Sequence, residues 1–360
     1  MQIRRIRLIN YRSFENLSLE FDNKLNYICG PNAVGKTNLI EAIYYLSLGR
    51  SFRKNKDRDL IKEGENLAQI SIEYESKNED HTLRADISKK GKVIYLDEEK
   101  QQSVTKIVGK MNCVIYTPSS VLLFKNEPSE RRKMIDYSIS SLSAKYLYAL
   151  IRHKKILKER NVALAQGYDE NVIEVLTDEL INVSFVISQQ RRKFIDKLNE
   201  SIATIYSDLF GKGQEVRLEY ETNVPKTDSQ EEFKRELKKL HDSIRTEERI
   251  RKTTLIGIQR DDLKAFINEK SVFAYASQGQ NRLIVLALQI AVAKIIESII
   301  GEYPILLLDD VLSDLDETRK TNLITYLQKK GQVFITSTEE INDLPNCDVY
   351  KINNNQVKRR

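Results

Sequence analysis

The sequence predicts an α/β fold, in which a head of mixed sheet and helices with an antiparallel strand meander carries an inserted, mainly helical lobe. Two observations predict it. Residues 1–116 and 254–360 show the alternation and short apolar runs of strands, whereas residues 117–253 repeat apolar side chains at helical spacing. We therefore divide the chain into the N-terminal part of the head (1–116), the inserted lobe (117–253) and the C-terminal part of the head (254–360).

The first stretch reads as a series of antiparallel strands. Residues 3–9 and 17–21 alternate between apolar and polar side chains, and three more such runs occupy residues 69–74, 81–87 and 92–96. Lys89-Lys90-Gly91-Lys92 lies between the last two runs and predicts a hairpin turn.

The lobe reads as three helical runs, at residues 139–163, 176–209 and 233–244. His153, Arg160 and Gln190 interrupt the apolar stripes, which favours a compact lobe over an extended coiled coil. Residues 211–229, between the second and third runs, predict a loop with a strand.

The last stretch alternates strands and helices. Residues 303–308 and 332–336 predict two fully buried strands, and residues 317–329 predict the helix that joins them. A long apolar helix follows Arg282. Because Gln289, Lys294 and Glu297 break its apolar surface, we expect a buried core helix and not a membrane span.

Composition restricts the class of protein. The 360 residues are 31% charged with a formal net charge of +6, which permits an acidic partner such as nucleic acid without demanding one. The three cysteines, Cys29, Cys113 and Cys347, lack the spacing of a disulfide framework or a zinc site. The first residues contain no long apolar core. We expect a cytoplasmic protein.

Residues 30–37, GPNAVGKT, match the phosphate-binding loop pattern G-x-x-x-x-G-K-[ST], after an extended segment and before a helical one. In such a loop the backbone N–H groups surround phosphate oxygens, the lysine reaches the β- and γ-phosphates and the hydroxyl binds Mg²⁺. The predicted nucleotide-binding residues are Gly30, Pro31, Asn32, Ala33, Val34, Gly35, Lys36, Thr37 and Asn38, with Lys36 also catalytic and Thr37 also a metal ligand.

A second motif, YPILLLDD at residues 303–310, places two carboxylates at the end of an apolar strand. We predict that Asp309 holds Mg²⁺ and that Asp310 orients or deprotonates the attacking water. Together with the phosphate loop, this motif indicates an ATPase that uses ATP and Mg²⁺.

A third motif stands in front of the apolar helix. Ser277, Gln278, Gly279 and Gln280 resemble the L-S-G-G-Q signature of the ABC ATPase superfamily, although Ala276 and Gln278 depart from it. The resemblance implies an ABC-type P-loop ATPase head in which this helix start faces the γ-phosphate bound by a second copy of the chain. Ser313, Asp314 and Asp316 resemble the loop at that dimer interface.

Two further segments are candidates for contact with nucleotide. Arg12 and Ser13 follow the first strand, near the place where this superfamily meets adenine, although polar residues at the end of a strand need no such role. Thr336, Ser337 and Thr338 follow the last buried strand, and one of them is predicted to contact the nucleotide.

About 240 residues separate the phosphate loop from the signature, which is typical of chromosome-maintenance and repair ATPases and not of transporters. Within that group the chain resembles the RecF family of bacterial recombinational-repair ATPases. The segments that carry the resemblance are GPNAVGKTNLIEAIYYLSLGRSFR (30–53), EPSERRKMID (127–136), IGIQRDDL (256–263), ASQGQNRL (276–283) and LLLDDVLSDLD (306–316). The departures from the family pattern lie at residues 257–262, at Pro118-Ser119 and at Asp314.

The resemblance implies an ATP-dependent DNA-binding protein of repair and replication restart. It would dimerise on ATP at gapped, single-strand/double-strand junction DNA, hydrolyse ATP slowly with stimulation by DNA, and help RecO and RecR load RecA. Two alternatives are a transporter ATPase subunit, which the long insertion disfavours, and a scaffold that binds nucleotide with little turnover.

The sequence permits DNA contacts without locating them. Basic clusters occur in helical segments and after the phosphate-loop helix, with acidic residues interleaved, and no base-reading motif appears. The clusters are Arg50, Arg53, Lys54, Lys56 and Arg58; Lys154, Lys155, Lys158 and Arg160; Arg191, Arg192 and Lys193; and Lys234, Arg235, Lys238 and Lys239.

Overall fold

A computed structural model describes the chain except for residues 54, 212, 314, 341–345, 354–355 and 360. It contains two compact units. The first consists of Met1–Val121, Ile205–Lys212 and Gln278–Arg360, and the second of Leu122–Thr204 and Gly213–Ser277.

The described residues form fifteen strands: β1 (Gln2–Tyr11), β2 (Phe14–Glu20), β3 (Leu25–Cys29), β4 (Leu67–Ser76), β5 (Glu79–Ser88), β6 (Gly91–Leu96), β7 (Glu99–Lys100), β8 (Cys113–Tyr116), β9 (Val216–Glu221), β10 (Asp262–Ile267), β11 (Lys270–Ser271), β12 (Ile305–Leu308), β13 (Val333–Ser337), β14 (Cys347–Asn353) and β15 (Gln356–Arg359).

The described α-helices are α1 (Lys36–Leu48), α2 (Pro128–Leu142), α3 (Ala144–Gln166), α4 (Glu170–Phe210), α5 (Gln230–Ser243), α6 (Arg245–Arg251), α7 (Val272–Tyr275), α8 (Gln278–Ile300) and α9 (Glu317–Gln328). The α/β class with a helical lobe is therefore confirmed.

The first unit contains an antiparallel sheet in the order β2-β1-β4-β5-β6-β7. Its apolar side chains alternate along each strand, so Ile6 pairs with Ile72 in register and both are buried. Ser88 pairs with Gly91, which leaves Lys89 and Lys90 as a two-residue turn. The predicted meander and its hairpin are confirmed.

The second sheet of this unit has the order β15-β14-β3-β13-β12-β8, and it is parallel except for the pairing of β14 with β15. Strands β3, β12 and β13 are buried at every position, and for β12 and β13 the apolar runs of the sequence predicted this burial. Leu308 pairs with both Tyr116 and Ile335, and Ser337 pairs with Cys29. The carboxyl ends of four strands therefore meet at one edge, where the phosphate loop and the acidic pair follow.

Helix α8 is long and apolar enough to cross a membrane. However, 72% of its most apolar stretch of 18 residues is buried inside the protein. Residues such as Ile284, Ala287 and Ile290 are fully buried. The helix is part of the core, as the sequence predicts.

Buried polar side chains cross-link the second unit. Arg191 of α4 donates to Asp136 at 2.8 Å and to Asp261 at 2.7 Å, and Arg160 of α3 donates to Glu248 at 2.6 Å. Burial is the main cause that lowers the pKa of His153 to about 3, so this ring is neutral at neutral pH. His153 and Arg160, two of the predicted polar interruptions of the helical stripes, are thus interior residues of the lobe.

The compact units differ from the predicted boundaries in three places. Residues 254–277, predicted as part of the head, cluster with the lobe, whereas residues 117–121 and Ile205–Lys212, predicted as part of the lobe, cluster with the head. Residues 254–277 cluster with the lobe because one of their strands pairs with a strand of the lobe. Strand β9 needs a hydrogen-bonding partner, and β10 supplies it antiparallel, with Leu263 opposite Tyr220.

Candidate functional site

The phosphate loop links the end of β3 to the start of α1 through backbone conformations of positive φ, which glycine adopts most easily. Gly30 has a φ of 153°, Ala33 of 67° and Gly35 of 108°. A Cβ atom at Gly30 would lie 2.4 Å from the carbonyl oxygen of Ile352, and one at Gly35 would lie 2.9 Å from the ring of Phe14. The turn therefore requires glycine at both positions and aims the N-terminus of α1 at its concave side.

Pro31, Asn32 and Ala33 form the exposed rim of this loop, whereas Gly35 and Lys36 are buried and Val34 is half-buried. The Lys36 Nζ donates to the carbonyl oxygens of Gly30 at 2.6 Å and Pro31 at 2.7 Å. Burial lowers the pKa of Lys36, an effect that the carboxylates of Asp310 and Asp309 oppose. The cation is thus held over the loop, where phosphate oxygens would compete for it.

The acidic pair follows β12 at the same edge of the sheet. Asp309 is buried, and its Oδ1 accepts hydrogen bonds from the hydroxyl of Thr37 at 3.1 Å and from that of Thr336 at 2.6 Å. Burial raises the pKa of Asp309, although both hydroxyls oppose the rise. The two predicted metal ligands, Thr37 and Asp309, are therefore in direct contact.

Asp310 follows Asp309 directly, and the chain leaves the direction of β12 at this residue. Its φ of 50° lies in the left-handed region, which aspartate and asparagine tolerate better than most residues. The Asp310 N–H donates to the Thr336 hydroxyl at 2.9 Å, and the Asp310 Oδ1 is buried without a hydrogen-bond partner among the described residues. The backbone of the predicted catalytic carboxylate is fixed while one of its oxygens is left available.

The donor set fits Mg²⁺. Thr37 and Asp309, the predicted metal ligands, offer hard oxygen atoms, which this ion prefers. No group of three or more His, Cys, Asp or Glu side chains suited to a metal occurs among the described residues. An ion held by one or two protein oxygens would complete its shell with phosphate and water, as Mg²⁺ usually does at nucleotide sites.

Arg12 and Ser13 lie against the phosphate-loop helix. The guanidinium of Arg12 makes two hydrogen bonds of 2.9 Å to the carboxylate of Glu41, which is fully buried in α1. The hydroxyl of Ser13 accepts from the Asn38 amide at 3.3 Å. In this structure Arg12 holds α1 in place, and Ser13 borders the loop through Asn38.

Arg53 is a member of the site that sequence reasoning assigned only to a basic cluster. Its guanidinium donates to Asn38 at 3.2 Å and lies 3.5 Å from Glu41. The segment after α1 therefore folds back beside the phosphate loop. The available sequence signal was Glu41, the single acidic residue in the mostly apolar sequence of α1. A carboxylate that such a helix carries into the core requires cationic partners.

The signature begins α8. Ser277, Gln278 and Gly279 are exposed and Gln280 is half-buried, whereas the next residue, Asn281, is buried. The start of this helix is thus presented to solvent while the rest enters the core. The role of these four residues at an interface with a second copy stays a prediction.

The structure describes two of the three residues of the predicted dimer loop, Ser313 and Asp316, whose role at an interface stays a prediction. Ser313 is exposed, and its hydroxyl donates to the Asp310 carbonyl oxygen at 3.1 Å. Asp316 caps α9 by accepting from the Arg319 N–H at 2.9 Å, so its conformation has a local cause. Asp314 lies outside the described residues.

Thr336 connects the two acidic residues, which leads to a test. In Thr336→Val the Asp310 N–H loses its acceptor and Asp309 loses a donor, so we expect folding to be destabilised by about 1–3 kcal/mol. ATP hydrolysis should fall more than ATP binding, because the acid pair shifts while the phosphate loop remains. Thr336→Ser, which keeps the hydroxyl, should behave as the wild type. Unchanged turnover and unfolding midpoint in the valine variant would contradict this assignment.

Comparison with known proteins agrees with this geometry. The family model described as RecF/RecN/SMC N-terminal domain matches residues 2–353. The chain belongs to this family. Its members include a curated relative, DNA replication and repair protein RecF of Bacillus cytotoxicus, which is 39% identical over 343 residues, covering 94% of this chain and 92% of the relative.

Solved structures support the same family. That of the recombination mediator protein RecF-ATP in the RecFOR pathway has a TM-score of 0.92 and 30% identity, covering 100% of this chain and 97% of that one. The Smc head domain of Pyrococcus furiosus, bound to the C-terminal domain of ScpA, has a TM-score of 0.59 at 16% identity, with 100% and 96% covered, and shows the shared fold alone. The predicted RecF resemblance and ABC-type fold are confirmed.

Proposed function

We propose that this protein is an ATP-dependent DNA-binding protein of recombinational repair and replication, in which ATP binding closes a homodimer on DNA and slow hydrolysis opens it. One observation carries the proposal: Thr37 of the phosphate loop donates a hydrogen bond to Asp309 of the acidic pair. Relatives named DNA replication and repair protein RecF, which match 94% of this chain, support the biological setting.

The phosphate loop would bind the triphosphate of ATP through its backbone N–H groups, with Lys36 on the β- and γ-phosphates. Thr37 and Asp309 would hold Mg²⁺, which when bound neutralises charge on the phosphates. Asp310 would orient or deprotonate the attacking water through its unpartnered oxygen. Asn38, Ser13 and Arg12 would border the nucleotide and keep the first turns of α1 in position.

Most ABC ATPases carry glutamate where this chain has Asp310. The carboxylate here is one methylene shorter, so it would hold the water less well and turnover would be slow. Slow turnover suits a clamp that stays closed on DNA while partners assemble. DNA would stimulate hydrolysis by favouring the closed dimer.

Ser277, Gln278, Gly279 and Gln280 would complete the site from a second copy of the chain, with Ser313 and Asp316 near the same interface. The exposure of the first three residues at the start of α8 supports this. RecO and RecR are the proposed partners, by likeness to the mediator of the RecFOR pathway, and the outcome would be loading of RecA on gapped, single- and double-stranded DNA. The protein would act in the cytoplasm, where ATP and chromosomal DNA are found.

A measurement of ATP hydrolysis with no DNA, and with linear, gapped and single-stranded DNA, tests the proposal. We expect slow basal turnover that rises with gapped DNA. Tight ATP binding without turnover on any of these DNAs would instead indicate a nucleotide-gated scaffold, the alternative function.

The Ser277→Arg variant separates binding from dimerisation. A bulky cation at the exposed start of α8 should block a second copy while leaving the phosphate loop untouched. We expect nearly normal ATP binding, no ATP-dependent dimer by light scattering, and hydrolysis lowered by roughly two orders of magnitude, as when one oxyanion-type donor is removed. Ser277→Ala, which removes only the hydroxyl, should retain some dimer. Loss of ATP binding in Ser277→Arg would mean that the signature acts within its own chain.

A further inference from the structure

The basic clusters of this chain differ in how far the structure neutralises them. Arg191 is buried and paired with Asp136 and Asp261, and Arg192 donates to the Thr227 carbonyl oxygen at 2.6 Å. These two arginines are committed to contacts within the second unit. They are therefore poor candidates for contact with another molecule.

The cluster on α5 is balanced by acidic neighbours. Within Gln230–Ser243, four Lys or Arg side chains accompany four Asp or Glu side chains. Lys238 lies 3.0 Å from Glu174 and 2.6 Å from Asp178, and Arg235 lies 3.2 Å from Glu236. Helix α5 therefore presents almost no net charge to solvent.

Helix α3 has the opposite balance. Its exposed side carries five cations and one acidic residue, Glu159. These cations are Lys145, Arg152, Lys154, Lys155 and Lys158.

The ion pairs of Arg152 and Lys155 are long. Lys155 lies 3.9 Å from Glu159 and Arg152 lies 3.4 Å from Glu179, while Lys145 and Lys158 make no ion pair within the described part of the chain. Such long, exposed pairs are worth little, so the positive charges of Lys145, Lys155 and Lys158 remain available to a partner.

The shape of the same face suits an extended polyanion. Tyr148, Ile151 and Val162 are 56%, 45% and 42% exposed and share one stripe with Lys155 and Lys158, at steps of three and four residues. A shallow groove of about 430 Å³ runs beside it, lined by Lys154, Leu157, Lys158, Asn161, Val162 and Ala165. Apolar stems and rings between the cations can lie along sugars while the ammonium groups reach phosphates.

The length of α3 also matches DNA. Its 23 residues extend about 34 Å, close to one turn of a duplex at roughly 34–36 Å. A cationic helix of this length can contact phosphates along one side of a turn. Neither the helix nor the groove offers the polar array that reading base edges requires.

We propose that the solvent-facing side of α3 is a DNA-backbone-binding surface, with Lys145, Lys155 and Lys158 as its phosphate contacts. This inference rests on the proposed function, because it assigns a place to the DNA binding proposed there. The occupant is the sugar-phosphate backbone, contacted without sequence preference.

The test replaces all three lysines by glutamine, which keeps helix propensity and side-chain length. In Lys145→Gln/Lys155→Gln/Lys158→Gln we expect affinity for a gapped duplex to fall roughly ten- to hundredfold in the presence of ATP. The slope of log affinity against log salt should shrink by about one for each phosphate that a lysine no longer neutralises. ATP binding should be unchanged, since α3 and the phosphate loop belong to different compact units.

Two controls make the test specific. Lys234→Gln/Arg235→Gln/Lys239→Gln removes the same charge from the balanced helix α5 and should change DNA affinity by no more than about twofold. Lys145→Arg/Lys155→Arg/Lys158→Arg keeps the charge and should retain binding.

The two proposals fail in different ways. If the wild type binds DNA and the glutamine variant binds it with the same affinity and the same salt slope, the α3 assignment is overturned. Binding of an acidic protein to this face would not rescue it. If the wild type binds ATP but no DNA, the proposed function fails and the α3 assignment fails with it.

Discussion

Lys36→Ala should remove ATP binding and ATP-driven dimerisation while leaving the protein folded. Lys36 is the cation held over the phosphate loop by the carbonyl oxygens of Gly30 and Pro31, so its removal would leave the bound phosphates without this ammonium group. Removing one partner of a buried charge pair costs about 2–5 kcal/mol, which corresponds to roughly 30- to 4,000-fold in affinity. Titration calorimetry with Mg-ATP measures the loss.

Lys62→Ala is a matched control in the same unit. Lys62 pairs with Glu15 at 2.8 Å on the surface, and such a pair contributes at most about 1 kcal/mol. We expect this variant to bind ATP as the wild type does. Near-normal ATP affinity in Lys36→Ala, with circular dichroism unchanged, would show that the phosphate-loop assignment is wrong.

Asp310→Asn should give the second large effect, a long-lived ATP-bound dimer that stays on DNA. Asparagine keeps the size of the side chain and tolerates the left-handed conformation of residue 310, where φ is 50°. The N–H bond to Thr336 remains, as do Thr37 and Asp309, so ATP should still bind. Without the carboxylate, hydrolysis should slow by about 10²- to 10⁴-fold.

Sizing chromatography with Mg-ATP would show the dimer, and single-turnover hydrolysis would give the rate. Asp309→Asn is the contrasting variant. It removes a proposed metal ligand, so it should weaken Mg-ATP binding and form no stable dimer. An Asp310→Asn protein that stays monomeric with ATP bound, or that hydrolyses at the wild-type rate, would contradict the role assigned to Asp310.

The parts of the site predicted from sequence are those in which contiguous residues carry the chemistry. GPNAVGKT contains its own glycines, lysine and hydroxyl, and the turn at Gly30 and Gly35 follows from residue type. The buried strands and the hairpin at Lys89-Lys90 were predictable for the same reason, since period and turn chemistry act over a few residues.

Contacts between distant residues were predicted less well. Thr336 was one of three candidates at the end of a strand, and only the pairing of β12 with β13 brings its hydroxyl to Asp309. Arg12, Glu41 and Arg53 form one cluster from three segments of the chain. The sequence suggested a nucleotide contact for Arg12 and a basic cluster for Arg53, and it suggested no role for Glu41. The assignment of residues 254–277 to the head missed the pairing of β9 with β10, which depends on strands about 40 residues apart.

The sequence by itself determined the chemistry of this protein, because a phosphate loop, an acidic strand end and a polar helix start each lie within a few residues. The tertiary structure decided which groups meet. It joined Thr37 to Asp309 and linked Asp309 to Asp310 through Thr336. It also buried Arg160 and Arg191 while leaving Lys145, Lys155 and Lys158 of α3 exposed. Residue type sets what a side chain can do, whereas burial and distance, which the packing of the whole chain determines, select the side chains that do it.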